Sequence, residues 1–392
     1  MVQIAIERVI SAIDPAETIA LAQHLVRIPS ITGTEGAAIS EAVAAWFAGQ
    51  GIAAELQEIA PGRLNVVGRV EGRTPGPRLL INGHLDTKPF DGMTISPTAA
   101  EIRDGRLWGR GACDMKSAVA AAMVAAKAIA RVGALDRGTL LVGCEVGEEG
   151  GGWTFPQLIA GPGSCDAMIC AEPTNLEVHL GARGGLPIEV TTFGLATHTG
   201  MAYQGINAIQ KMARVVEALY ALPCFAEVEP TWGRSPVNCE QIVGGGKVTA
   251  SVPDRCDLKV DIRLNPGLPP ERLRPILEGL FERLCVEDPD LRLEWKPRFG
   301  WSATQIALDD PLLAAVEGAA ETVLGARPPR GGFPGGCSAM LLLNEGKPAV
   351  IFGPGHIQQA HTVDEWVAVD QIPAAARVYA ASALAYLNEQ AR

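Results

Sequence analysis

Short apolar runs alternate with helical patterns at both ends of this chain, whereas its middle alternates residue by residue. Residues 14–27 and 36–50 predict helices, the second closed by Gly51. "RLLINGHLD" (78–86) is an apolar run that ends in polar residues. "GRGACDMKSAVAAAMVAAKAIARVG" (109–133) predicts a loop feeding an alanine-rich helix that stops at Gly133. "GTLLVGCEVGEE" (138–149), "DAMICAEP" (166–173) and "PAVIFGPG" (348–355) read as further strands. This alternation predicts an α/β fold, with a mixed, largely parallel sheet flanked by helices.

The middle has another grammar. From "GGLPIEVTTFGLATHTG" (184–200) to "LRLEWKP" (291–297) the strands alternate apolar and polar positions, as in "DLKVDIRL" (257–264). Helical patterns lie near 205–221 and 270–285. One wet face and two helices predict a small antiparallel α+β domain inserted into the larger one. The expected division is 1–184 and 299–392 for the outer domain and 185–298 for the insertion. A length of 392 residues agrees with two domains.

Charge and cysteine usage narrow the classes. A net charge of −11 argues against a nucleic-acid groove. The nine cysteines form no CxxC pair, and several, such as Cys144 and Cys170, sit in apolar runs; they read as small buried hydrophobes in a reducing compartment. The N-terminus lacks the basic and apolar regions of a signal peptide, and Lys127 interrupts the stretch 117–130, so a cytoplasmic protein without membrane association is expected.

The ionisable residues fall at the strand ends. His84 and Asp86 follow the run 79–83, Asp114 opens the helix, Glu148 and Glu149 follow 139–146, Glu172 follows 167–171, and His361 lies beyond "AVIFGPG". Ligand sites in open α/β sheets form outside the carboxyl ends of the strands. So many carboxylates in one crevice require cations to offset them. Two imidazoles with carboxylates and no thiolate suit zinc or a similar first-row ion. Ions roughly 3.5–4 Å apart could share one carboxylate. One of the adjacent glutamates would then bind metal and the other take a proton from water.

Each residue also has a plainer reading. Asp114 fits an N-cap, Thr362 and Glu365 fit a capping box, and paired glutamates fit a solvated turn. His24 and His179 read as ordinary helix and strand surface, and His356 as a weaker rival to His361. What the plainer account lacks is a reason for five strand ends to terminate in metal-binding side chains. HExxH, GxSxG and GxxxxGK[ST] motifs are absent, and "GRGACD" lacks the third glycine of a dinucleotide fingerprint.

"NGHLDTKP", "GRGACDMK", "VGEEGG", "AEPT" and "GPGHIQQAHTVDEW" together resemble the acetylornithine deacetylase/succinyl-diaminopimelate desuccinylase family of di-zinc metallopeptidases and acylases. The resemblance implies a zinc-peptidase-like catalytic domain with an inserted lid and dimerisation domain. It implies two Zn2+ ions, with Co2+ or Mn2+ as substitutes: His84 and Glu172 on one, Glu149 and His361 on the other, Asp114 bridging. Asp86 would contact the His84 imidazole, and Glu148 would be the general base. On the lid, His198 would stabilise the oxyanion, often from the neighbouring subunit of a homodimer; Arg263 would pair with a substrate carboxylate, and Asn207 would also face substrate.

The implied reaction is hydrolysis of an N-acyl amino acid, with a carboxypeptidase or dipeptidase as the alternative and a catalytically silent binding protein as a further rival. Glu172, where aminopeptidases of the family tend to carry Asp, points toward the deacylases. Three departures fall where substrate selection could be set: Ser338 in place of Asp, Lys88 in place of a small apolar residue, and "GGGKVTASVPD" (244–254) without its usual asparagine.

Overall fold

In the computed structural model, residues 2–151, 154–245 and 248–389 are described; Gly246 and Lys247, within the third departure, lie outside them. The chain divides into two units. The first runs through Gly181 and resumes over Ile306–Phe333 and from Cys337 onward; the second is Ala182–Gln305 with Pro334–Gly336. The second unit begins and ends a few residues outside the expected 185–298 because its two connecting segments pair. Thr304 N donates to Ala182 O (3.0 Å), and Gly185 and Trp301 exchange main-chain bonds.

An eight-stranded mixed sheet organises the first unit, in the order 53–60, 63–71, 137–145, 74–84, 167–170, 349–351, 178–182, 330–333. Its centre is parallel: Thr74–His84 lies between Arg137–Glu145 and Ala167–Cys170, and Ala349–Ile351 continues beyond. Leu79, Leu80, Ile81, Leu140 and Leu141 are fully buried, as strands covered on both faces must be. The four parallel strands therefore end together, at His84, Glu145, Cys170 and Ile351.

The helix Ser117–Val132 is buried along most of its length, with the helices Pro15–Arg27 and Gln371–Glu389 packed against it. Alanine permits this, since a helix enclosed on every side cannot carry a polar face. Gly83 lets the helix approach the strand below, for a Cβ there would stand 2.9 Å from Val119. The helix stops at Gly133, whose φ of 63° suits the left-handed C-terminal position. No helix among the described residues is long and apolar enough to cross a membrane.

Two readings are corrected here. His179 is buried, not on a strand surface, because Val178–Ala182 is flanked by strands on both sides; burial pushes its pKa down to about 4. No helix follows Thr362–Glu365, so the capping box does not form: Trp366–Ala368 is a strand paired with Arg106–Trp108. His24 is exposed on its helix, as expected. All nine cysteines are free, six of them buried.

The second unit carries the antiparallel sheet, in the order 237–244, 255–264, 188–193, 292–297. Alternate residues of Arg255–Leu264, namely Cys256, Leu258, Val260, Ile262 and Leu264, form a core with Met212 and Val215 of Ala208–Tyr220 and Leu273 and Leu277 of Pro270–Glu287. Val237–Gly244 is an edge strand with Ile242 and Val243 exposed.

Candidate metal centre

His84 is the last residue of its strand and is buried. Its Nδ1 donates to the main-chain carbonyl of Asp86 (2.8 Å), which leaves Nε2 facing Asp114 Oδ1 at 3.1 Å. Burial opposes charge on this ring, but Asp114, Asp86 and Glu148 outweigh it and hold its pKa well above the usual imidazole range. The ring thus faces anions that demand a cation, and a metal ion would take the place of the proton.

The Asp86 carboxylate does something other than expected. It stands 3.8 Å from His84 Nδ1 and accepts instead from the main-chain N–H groups of Glu148 (3.2 Å) and Glu149 (3.0 Å). Two successive amides at the turn offer a better-aligned partner than the ring, which the Asp86 carbonyl has already satisfied.

Asp114 sits in an irregular turn, Ala112–Lys116, with extended backbone and a cis peptide to Met115. It does not cap the helix, whose N-cap residue is Lys116. Its two oxygens diverge: Oδ1 faces His84 Nε2 at 3.1 Å, and Oδ2 lies 3.5 Å from His361 Nε2. His361 in turn stands 2.9 and 3.1 Å from the two oxygens of Glu149. Two sets of donor atoms result, His84/Asp114/Glu172 and Asp114/Glu149/His361, each within 4.8 Å of one another, with Asp114 in both. His356 belongs to neither set; it is exposed, and its Nδ1 accepts from Gln358 N.

The adjacent glutamates are driven in opposite directions. Burial, reinforced by Glu145, Asp114 and Glu149, pushes the Glu148 carboxyl above the usual carboxylate range. Burial acts likewise on Glu149, but hydrogen bonds from His361 and Lys88 and the charge of His84 prevail and hold it below that range. Two like residues side by side are thereby pushed apart in proton affinity. Glu172 is pushed well above its ordinary value, first by burial and then by the charge of Asp114.

Sequence reasoning missed the supports beneath these groups. Glu365 is fully enclosed and accepts from Arg110 Nη1 (2.8 Å) and from the N–H groups of Gly111 (3.1 Å), Cys113 (2.7 Å) and Asp114 (2.9 Å). It builds the turn that presents Asp114, and only its place four residues after His361 could have hinted at this. Glu145, at the end of its strand, accepts from Ser338 Oγ (2.6 Å) and Asn82 Nδ2 (3.0 Å), and burial pushes its pKa up to about 7. Ser338 now has a physical reason: an aspartate there would face the buried Glu145 carboxyl.

The residues expected on the lid belong to the second unit. His198 is exposed, and its Nδ1 accepts from Gly200 N (3.1 Å), so the neutral ring carries its proton on Nε2. Arg263 donates through Nε to Asp261 (2.9 Å), with its guanidinium over the Trp301 ring at 5.6 Å. Asn207 caps the helix Ala208–Tyr220, its Oδ1 accepting from Ile209 N and Gln210 N.

Comparison with known proteins accords with this geometry. The chain is 30% identical over 393 residues to a succinyl-diaminopimelate desuccinylase of Gluconacetobacter diazotrophicus, covering 94% of this chain and 97% of the relative. It is 28% identical over 385 residues to an acetylornithine deacetylase of Vibrio campbellii, covering 89% and 93%. Its fold matches a dinuclear metal-binding peptidase of Bacillus subtilis with a TM-score of 0.71 at 16% identity, over 95% of this chain and 98% of the other. Residues 80–385 match the family model "Peptidase family M20/M25/M40". The chain belongs to that family and is a metal-dependent hydrolase.

Proposed function

We propose that this protein hydrolyses the amide bond of an N-acyl amino acid, releasing a carboxylate and the free amino acid. The observation that carries the reading is the divergence of the two Asp114 oxygens toward two imidazoles, directly beside a glutamate held ready for a proton. Imidazole and carboxylate donors without a thiolate fit Zn2+, with Co2+ or Mn2+ as substitutes. His84 and Glu172 would hold one ion and Glu149 and His361 the other, with Asp114 shared. Such ions supply Lewis acidity to the scissile carbonyl and lower the pKa of an attacking water.

The remaining steps fall to the protein's own groups. Glu148 takes the proton from the attacking water and delivers it to the leaving amine. Asp86 fixes His84 through its carbonyl and the Glu148–Glu149 backbone through its carboxylate. His198 offers Nε2–H to the tetrahedral oxyanion. Arg263, steadied by Asp261, offers its terminal nitrogens to a substrate carboxylate. Asn207 shapes the lid through its helix cap and leaves Nδ2 for substrate.

The test is a panel of acetyl-, succinyl- and formyl-amino acids run against dipeptides with the zinc-loaded protein. Faster turnover of the acylated amino acids is the expected result; faster turnover of dipeptides would move the reading to the carboxypeptidase or dipeptidase alternative. We place the protein in the cytoplasm, which its nine unpaired cysteines support. A homodimer through the edge strand Val237–Gly244, with its exposed Ile242 and Val243, completes the reading. Sedimentation equilibrium should return twice the chain mass, and a monomer would exclude it.

A further inference from the structure

Lys88 leaves the strand end four residues after His84 and reaches Glu149. Its Nζ donates to Glu149 Oε2 at 2.8 Å and to the Glu149 main-chain oxygen at 2.6 Å. The Glu149 carboxylate is 5% exposed and already faces His361 with both oxygens. The main-chain bond tethers the ammonium there even when the carboxylate turns toward another cation. Nothing similar attends the other donor set: among the described residues, no lysine or arginine forms an ion pair with Asp114 or Glu172. The two halves of the site thus share Asp114 but differ by one fixed positive charge.

From this asymmetry we infer that Lys88 is a positioning residue that makes the two metal sites unequal. It weakens the Asp114/Glu149/His361 site and leaves the His84/Asp114/Glu172 site untouched. The inference rests on the dinuclear reading above. A divalent ion entering beside Glu149 must share that carboxylate with an ammonium and lie within a few ångströms of its charge. Burial makes this repulsion stronger than it would be in water. Without the ion, the same ammonium offsets the negative charge of Glu149 and holds its carboxylate in place. Lys88 therefore holds one position as the exchangeable member of the pair.

The experiment is calorimetric titration of the metal-free full-length protein with Zn2+, alongside Lys88→Met and Lys88→Arg. The native protein is expected to take two ions in separable steps. Lys88→Met should tighten the weaker step by about tenfold or more and leave the tighter step unchanged. Lys88→Arg, which keeps the charge, should retain the native separation. A weaker step that does not move in Lys88→Met, or two steps that tighten equally, would overturn the role of Lys88. Uptake of a single ion by every variant would instead overturn the dinuclear reading, and the inference with it.

Discussion

Replacing Glu148 by alanine is expected to lower kcat by about 10²–10⁴-fold, the range for loss of a positioned general base. Metal content, read by elemental analysis after dialysis, should stay at the native level, because Glu148 belongs to neither donor set. The two readouts separate its role from that of its neighbour. Glu149→Ala should reduce both, since Glu149 faces His361 directly. Unchanged turnover in Glu148→Ala would remove the residue from the proton-transfer role, and loss of metal together with turnover would make it a ligand instead.

Glu365→Ala is expected to destabilise the fold by about 3–5 kcal/mol, as loss of one partner from a buried ion pair does. The change leaves the Arg110 guanidinium, itself 5% exposed, with two main-chain carbonyls but no counter-charge, and orphans three main-chain N–H groups. Burial and the charge of Asp114 push this carboxyl above the usual carboxylate range, and the Asp114 and Gly111 N–H groups and the Arg110 guanidinium work against them. Urea unfolding of the metal-free protein measures the effect without the contribution of bound ions. A loss below about 1 kcal/mol would show that the turn around Asp114 holds its shape by other means.

Much of the sheet could be read from the chain because its central strands are buried on both faces and write continuous apolar runs, as at Leu79–Ile81. The hairpin of Ala53–Ala60 and Arg63–Glu71 left no such run, since its outer strand is largely exposed at the sheet edge. His179 misled for a related reason: its covering strands, 330–333 and 349–351, come from more than a hundred residues later. At the site, residue types at strand ends could be recognised, but the atoms they use could not. Asp86 was legible as a partner of His84, yet it is the carbonyl that serves the ring and the carboxylate that serves the glutamates. Glu365 looked like helix grammar because its true partners begin at Arg110, 255 positions earlier.

That division of labour within Asp86 decides what a substitution there would disturb. The carbonyl that fixes the imidazole tautomer belongs to the main chain and survives any side chain at position 86, whereas the path of the segment bearing Glu148 and Glu149 depends on the carboxylate, so a change there strikes the glutamates and spares the ring.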